Sequence, residues 1–366
     1  MDRLSAALRK TRKKMAKFKF EGVGIRALSA CVPSKISRNE DALRGVVPDD
    51  EIRKTISAVG IAEKRIAPDD VCASDLCARA AEQLFADNPE ISRESIDALV
   101  FMSQTGDFRI PATAPILQRR IALPQTCAAF DVSLGCSGYV FALAVAFSLA
   151  ANVGARRVLL LDGETFSKIV NPRDRVNAPL YGDAGTATLV EKIPSAGNAF
   201  FVLNTDGSGE DAVKIPVGNC RAPTTAESLV EATAPDGSVR APTQIFMDGM
   251  DVFNFALRRV PAVLKEIAAF AGTTIAGADA VVFHQANKMM TDFFAKRMKL
   301  SPAQVPYSLG KYGNTSSASV PLTISECLSG NAVRGNVILC GFGAGLSWGA
   351  AQLSLADAKI SPVAEF

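Results

Sequence analysis

Apolar residues along this chain fall into short unbroken runs separated by polar or glycine-bearing stretches. Residues 18–30, 96–103, 157–162, 187–192, 200–204, 279–283 and 336–340 are such runs, rich in Val, Ile, Leu and Phe, and predict strands buried on both faces. Between them lie longer segments of helical character. Residues 39–58 hold helical pieces that stop at Val59-Gly60-Ile61. Residues 73–86 predict a helix capped by Ser74, and Pro111 is placed to open the next one. Residues 250–271, 289–298 and 315–329 predict three more, whereas 212–242 is Pro-, Thr- and Gly-rich and irregular.

One stretch departs from this rhythm. Residues 128–151, AAFDVSLGCSGYVFALAVAFSLAA, begin as a strand over 129–133, turn at Leu134 and Gly135, and continue as a helix over 137–152 with no charge on any face. A helix apolar all round belongs in the interior. The 24 uncharged residues between Asp131 and Arg156 are long enough to raise a membrane span. The strand-like opening, Gly135, Gly138 and the charged strand RRVLLLDGE that follows argue against one. Cys136 then stands at the N-terminus of a buried helix, where the dipole and free N–H groups favour a negative atom, so an acidic, nucleophilic thiol is expected. Taken alone, a lone cysteine among apolar residues is simply a core residue; the later motifs shift the balance.

Two pairs of segments repeat in the same order. IDALVFMSQ (96–104) echoes ADAVVFHQA (278–286), and RRVLLLDGE (156–164) echoes GNVILCGFG (335–343). Each is short, but their matched order predicts a duplicated α/β protein. The divisions expected are a basic N-terminal extension over 1–17, one half over 18–195 and a second over 196–366, with the link near 194–198.

Composition adds limits. Apolar residues make up 48% and charged residues 21% of 366, the balance of a globular protein with ample core. Eight scattered cysteines without a C-x-x-C pair read as reduced thiols, hence a cytoplasmic protein. With His284 the only histidine, no metal site is expected. The net charge of +3 is carried by residues 1–16, which hold six Lys and Arg against Asp2. That leader is read as a frayed tail, with an anionic-surface contact or a start at Met15 as the other readings. No nucleic-acid partner is expected.

The chemistry gathers at element ends. His284-Gln285-Ala286-Asn287 follows a buried strand, where ligands collect in α/β folds. Asn314 lies in YGNTSSAS ahead of a helix, and residues 341–345 form a glycine loop with backbone N–H groups suited to an oxyanion. Singly, His284 is explained as a hydrogen-bonded core group and Asn314 as a helix cap. Together, Cys136, His284 and Asn314 are acyl-transfer equipment.

At these residues the chain resembles the β-ketoacyl-acyl-carrier-protein synthase III family. FDVSLGCSGYVFAL, NPRDR, YGDAG, FMDGMDVF, HQAN, YGNTSSASVP and GFGAGLSWG occur in the family's order, and the likeness runs from about residue 20 to 353. The resemblance implies the thiolase fold, two βα halves in a five-layer αβαβα arrangement, working as a homodimer. It implies that Cys136 is acylated, that the backbone N–H groups of Cys136 and Ala344 form the oxyanion hole, and that His284 and Asn314 grip the malonyl thioester carbonyl. The reaction implied is acyl transfer from acyl-CoA or acyl-ACP to Cys136, then decarboxylative Claisen condensation with malonyl-ACP. Thioesters of coenzyme A and acyl carrier protein are the substrates, with no further cofactor. Arg175, Asn287, Ile110 and Phe342 are implied substrate contacts; Lys288, Lys296 and Arg297 are implied carrier-docking residues. Lys54, Ala58 and Met289 stand where the family has its adenine-clamping tryptophan and arginine and a further arginine, which leaves the acyl donor open between coenzyme A and carrier protein. The competing reading is an acyltransferase of the same fold that passes the acyl group to an alcohol or amine; a non-catalytic partner subunit is a third.

Overall fold

The computed structural model describes residues 16–152, 154–330 and 335–366. The basic leader, 1–15, lies outside the described residues. Ala16 and Lys17, assigned to that leader, already belong to a strand.

Twelve strands build two sheets: β1 (Ala16–Glu21), β2 (Val23–Val32), β3 (Ala98–Met102), β4 (Ala128–Val132), β5 (Arg157–Thr165), β6 (Asp183–Lys192), β7 (Asn198–Thr205), β8 (Ala280–Phe283), β9 (Val337–Gly343), β10 (Ser347–Leu353), β11 (Lys359–Ile360) and β12 (Ala364–Glu365). One sheet runs β11-β2-β6-β5-β3-β4, with β12 also beside β2; the other runs β1-β7-β10-β9-β8. The echo read from sequence is the topology itself. β2-β6-β5-β3 and β7-β10-β9-β8 have the same order, with the first two pairs of each antiparallel and the last pair, β5 on β3 and β9 on β8, parallel.

The run over 18–30 is two strands, not the single one expected. Gly22, at φ +65°, turns the chain between them, a conformation that costs other residues a clash at Cβ. β1 goes to the second sheet, antiparallel to β7, while β2 goes to the first. At the other end β11 and β12 return to β2. Each terminus therefore adds strands to the sheet of the opposite half.

Between the sheets lie α3 (Gly138–Ala151) and α6 (Ser319–Leu328). Tyr139, Leu143 and Phe147 on α3 are fully buried, and one apolar core joins α3 and α6 to strands of both sheets. α1 (Ala73–Asp87) and α2 (Thr113–Arg120) cover the outer face of the first sheet; α4 (Gly249–Ala271) and α5 (Lys288–Met298) cover that of the second. The result is α, β, α, β, α.

Helix starts differ from expectation in three places, one of them α6, which opens at Ser319 rather than Thr315, after a 3-10 turn over Ser316–Ala318. α1 is capped at Cys72, whose N–H donates to Asp75 Oδ2 at 2.6 Å, while Ser74 lies inside the helix and donates to Asp107. α2 opens at Thr113 rather than Pro111, because Asp131 on β4 accepts from the N–H groups of Thr113 and Ala114 at 2.8 and 2.7 Å. A carboxylate brought from another element has done the capping. The expected glycine loop is also shorter: Gly341 and Gly343 are paired strand residues of β9, facing Gly349 and Ser347. None of the described helices is long and apolar enough to cross a membrane.

Candidate active site

β4 ends at Val132, and the chain turns through Gly135, Cys136 and Ser137 before α3. The turn is closed by the Gly138 N–H donating to the Gly135 carbonyl at 2.7 Å. β9 passes directly beneath it. A Cβ added at Gly343 would lie 2.8 Å from Cys136 Cβ and 3.2 Å from Sγ, so only glycine lets the strand come this close. The Gly343→Ala variant should slow acylation of Cys136 by on the order of 10²-fold, the scale for displacing a reacting group by about an ångström. Stopped-quench measurement of the acyl-enzyme, with an unchanged circular-dichroism spectrum, checks it.

His284 follows β8 and is pinned at both ends. Its N–H donates to the Cys340 carbonyl at 2.7 Å, and its ring stands edge-on to Phe342 at 5.3 Å between centroids. Nδ1 lies 2.8 Å from Ser319 Oγ. That oxygen already accepts the Gln285 N–H at 3.2 Å, so its hydroxyl proton is free to donate to Nδ1. With Ser319 donating to Nδ1, the ring proton sits on Nε2. Burial pushes the imidazole down to about 3 from its ordinary 6.5, and a hydrogen bond to the Ser316 backbone acts the other way. The ring is neutral at physiological pH.

Asn314 is buried, and its amide is oriented by its neighbours. Oδ1 accepts the Ser316 N–H at 2.9 Å, while Nδ2 makes only a long 3.5 Å contact with the Ala286 carbonyl. Its backbone is tied to the other half: the Asn314 N–H donates to the Leu180 carbonyl, and the Gly182 N–H donates to the Asn314 carbonyl. Cys136, His284 and Asn314 line one cavity of about 90 Å³, with Phe342, Ala344 and Asn287 also in its wall.

The thiol does not match the acidity expected of it. Burial pushes Cys136 up to about 12, and the nearby Glu164 and Asp162 push the same way. The opposing contacts, Ser316 Oγ at 3.6 Å and the residue's own backbone N–H, are weaker than the burial. The reason is spatial. Cys136 sits two residues ahead of the first turn of α3, the Gly138 N–H is occupied, and the surrounding walls are apolar. The resting thiol is therefore protonated.

The other residues singled out from sequence scatter. Phe342, Asn287 and Ala344 reach the cavity; Asn287 also caps α5 by accepting the Met290 N–H at 2.9 Å. Arg175 is exposed and outside the cavity wall, lying against Gly237 with a 3.5 Å contact to the Asp236 carbonyl. Ile110 is 88% exposed and is not part of its own chain's cavity wall. Lys288, Lys296 and Arg297 are exposed on α5, Lys288 paired with Asp292.

Sequence reasoning missed a buried acidic pair. Asp162 and Glu164 lie on one face of β5, and both are fully buried. Glu164 accepts from Ser103 Oγ, the Gln104 N–H and Thr105 Oγ1, and burial pushes it up to about 7. Gln104 in turn lines the cavity. The signal was present as two acids in the run LLLDGE, where a core strand has no reason to hold any.

Comparison with known proteins agrees with this geometry. Residues 130–207 match the 3-oxoacyl-[acyl-carrier-protein] synthase III family model, and 268–355 match the model of that enzyme's C-terminal part. The chain is 34% identical over 338 residues to the β-ketoacyl-[acyl-carrier-protein] synthase III of Symbiobacterium thermophilum, covering 92% of this chain and 98% of that one. It is 33% identical to the Rhodopirellula baltica enzyme of the same name, covering 90% and 98%. The crystal structure of a 3-oxoacyl-(acyl-carrier protein) synthase from Burkholderia xenovorans superposes with a TM-score of 0.88 at 36% identity, covering 96% and 99%. The Thermus thermophilus β-ketoacyl-[acyl-carrier-protein] synthase III gives 0.78 at 35%, covering 90% and 98%. The spacing of the site motifs, the duplicated fold and these likenesses agree, and the chain belongs to the β-ketoacyl-[acyl-carrier-protein] synthase III family.

Proposed function

We propose that this protein transfers an acyl group from a coenzyme A or carrier-protein thioester to Cys136 and condenses it with malonyl-ACP to give 3-oxoacyl-ACP. The observation that carries the reading is one cavity lined by a thiol, a neutral imidazole and an oriented amide. In the first half-reaction the Cys136 sulfur attacks the thioester carbonyl and loses its proton, the donor's carbon–sulfur bond breaks, and the donor leaves as a thiol that takes up a proton. The backbone N–H groups of Cys136 and Ala344 hold the oxyanion. In the second, malonyl-ACP loses carbon dioxide, and the enolate oxygen is held by His284 Nε2–H and Asn314 Nδ2. Neutral donors suit this task, since they stabilise developing negative charge without giving up a proton. The carbanion then attacks the acyl-Cys136 carbonyl, and the thiol is regenerated. Thioester chemistry of this kind draws only on the chain's own donors and nucleophile.

The two halves, 18–195 and 196–366, supply the nucleophile and the enolate donors respectively. α5 borders the cavity through Met290 and carries the exposed Lys288, Lys296 and Arg297, a basic face suited to an acidic carrier protein. The chain works as a homodimer in the cytoplasm. Exposed Phe108 and Ile110, beside the edge strand β4, support such an interface. Incubation with radiolabelled acyl-CoA or acyl-ACP and malonyl-ACP, with mass analysis of the product, tests the reading; absence of a 3-oxoacyl-ACP product overturns it.

Ile110 stands where the resemblance implies a phenylalanine that reaches across the dimer and closes the partner's acyl tunnel in narrow-specificity enzymes. A smaller side chain leaves room for a longer primer, each methylene being worth roughly 1–3 kcal/mol in an apolar pocket. In a series from acetyl to decanoyl the preferred primer should exceed two carbons, and Ile110→Phe should shift it shorter. Acetyl remaining best in both proteins would remove the pocket reading.

A further inference from the structure

The segment from Asn314 to Ser319 carries the Asn314 amide and touches both Cys136 and His284. Ser316 Oγ lies 3.6 Å from Cys136 Sγ, the Ser316 N–H orients the Asn314 amide, and Ser319 Oγ holds His284 Nδ1. Its backbone is not relaxed. Ser316 has φ +53°, a left-handed conformation that a serine adopts only where its surroundings hold it.

Between Ser316 and Ser319 stands Ser317, fully buried, and its hydroxyl donates to Asp162 Oδ1 at 2.6 Å. Asp162 comes from the other half, on the core strand β5. It has no exposed surface, and its Oδ2 has no hydrogen-bond partner among the described residues. A carboxyl left half-satisfied in the interior is costly, and its neighbours Leu159, Leu160 and Leu161 show what the strand otherwise uses. Core packing alone gives no reason for an acid here.

We propose that Asp162 is a positioning residue: through Ser317 it clamps the 314–319 segment of one half onto the core strand of the other, and so sets both enolate donors against Cys136. The proposal rests on the assignment of Cys136, His284 and Asn314 given above. Burial pushes the Asp162 carboxyl well above the usual carboxylate range. An amide in its place keeps the acceptor oxygen that Ser317 uses.

The two half-reactions are measured separately, as formation of the acyl-Cys136 adduct from acetyl-CoA and as carbon dioxide release from malonyl-ACP. Asp162→Ala and Ser317→Ala should each slow decarboxylation about tenfold or more while leaving adduct formation within about twofold. Asp162→Asn should restore the decarboxylation rate. The double variant Asp162→Ala/Ser317→Ala should be no slower than its slower parent, because both remove one contact. Ser317→Ala removes a single hydroxyl and carries the test where Asp162→Ala lowers the folded yield. Equal loss in both half-reactions, Asp162→Asn as slow as Asp162→Ala, or unaltered decarboxylation in Ser317→Ala overturns the clamp. His284→Ala separates the two failures: decarboxylation that depends on His284 but not on Ser317 sinks the clamp alone, whereas decarboxylation indifferent to His284 sinks the donor assignment and the clamp with it.

Discussion

Replacing Cys136 by alanine should abolish acyl-enzyme formation and reduce condensation to background. The expectation follows from position. Cys136 lines the cavity shared with His284 and Asn314, whereas Cys31, Cys77 and Cys340 are buried within the core and outside the cavity wall. Intact-mass analysis after incubation with an acyl thioester should show one adduct on the wild-type chain and none on Cys136→Ala. Cys220 is exposed and is the site most open to adventitious acylation, so Cys220→Ser belongs in the comparison. An adduct that persists in Cys136→Ala but disappears in Cys220→Ser would remove the nucleophile assignment. The protonated resting thiol adds a further expectation: alkylation of Cys136 by iodoacetamide should be slow at pH 7 and rise steeply toward alkaline pH, since the thiolate is the reactive form.

His284→Ala and Asn314→Ala should each lower malonyl-ACP decarboxylation by on the order of 10²-fold or more, the scale for losing one directed donor to a developing oxyanion. Acylation of Cys136 should fall far less, because neither side chain hydrogen-bonds the sulfur, whose side-chain contact is Ser316. Comparable losses in both half-reactions would contradict this division. The pH profile provides a second check. With His284 depressed to about 3, the decarboxylation rate should show no imidazole inflection between pH 5 and 8. The sign for stability runs oppositely to that of a paired histidine. The unfolded chain takes up a proton on this residue below about 6.5 and the folded chain does not, so its burial favours unfolding increasingly as pH falls from about 6.5 toward 3.

Much of the architecture was legible in the hydrophobic pattern because the elements are extreme. An uncharged helix has no face to show to water, and strands buried on both sides need no alternation, so α3 could be placed to within a residue and the core strands located, although β5 and β9 each run three residues past the expected end. The paired echoes disclosed the duplication because equivalent strands in the two sheets meet equivalent neighbours. Cys136, His284 and Asn314 stood out by lying at element ends, which in an α/β fold are the positions left open to a ligand.

What the chain pattern could not contain is anything decided by residues far apart in sequence. The split of the first run at Gly22 depends on two sheets competing for one segment. The start of α2 at Thr113 depends on Asp131 arriving from β4. The thiol's acidity was argued from its own helix, yet it is governed by apolar walls drawn from both halves and by Glu164 and Asp162 on a separate strand. The acidic pair of β5 shows the limit most clearly. The letters D and E in a run of leucines announced an anomaly, but only the tertiary structure put Ser317 against one and the 103–105 loop against the other. Local pattern is set by which face of an element meets water; the state of a buried polar group is set by partners brought to it from elsewhere in the chain.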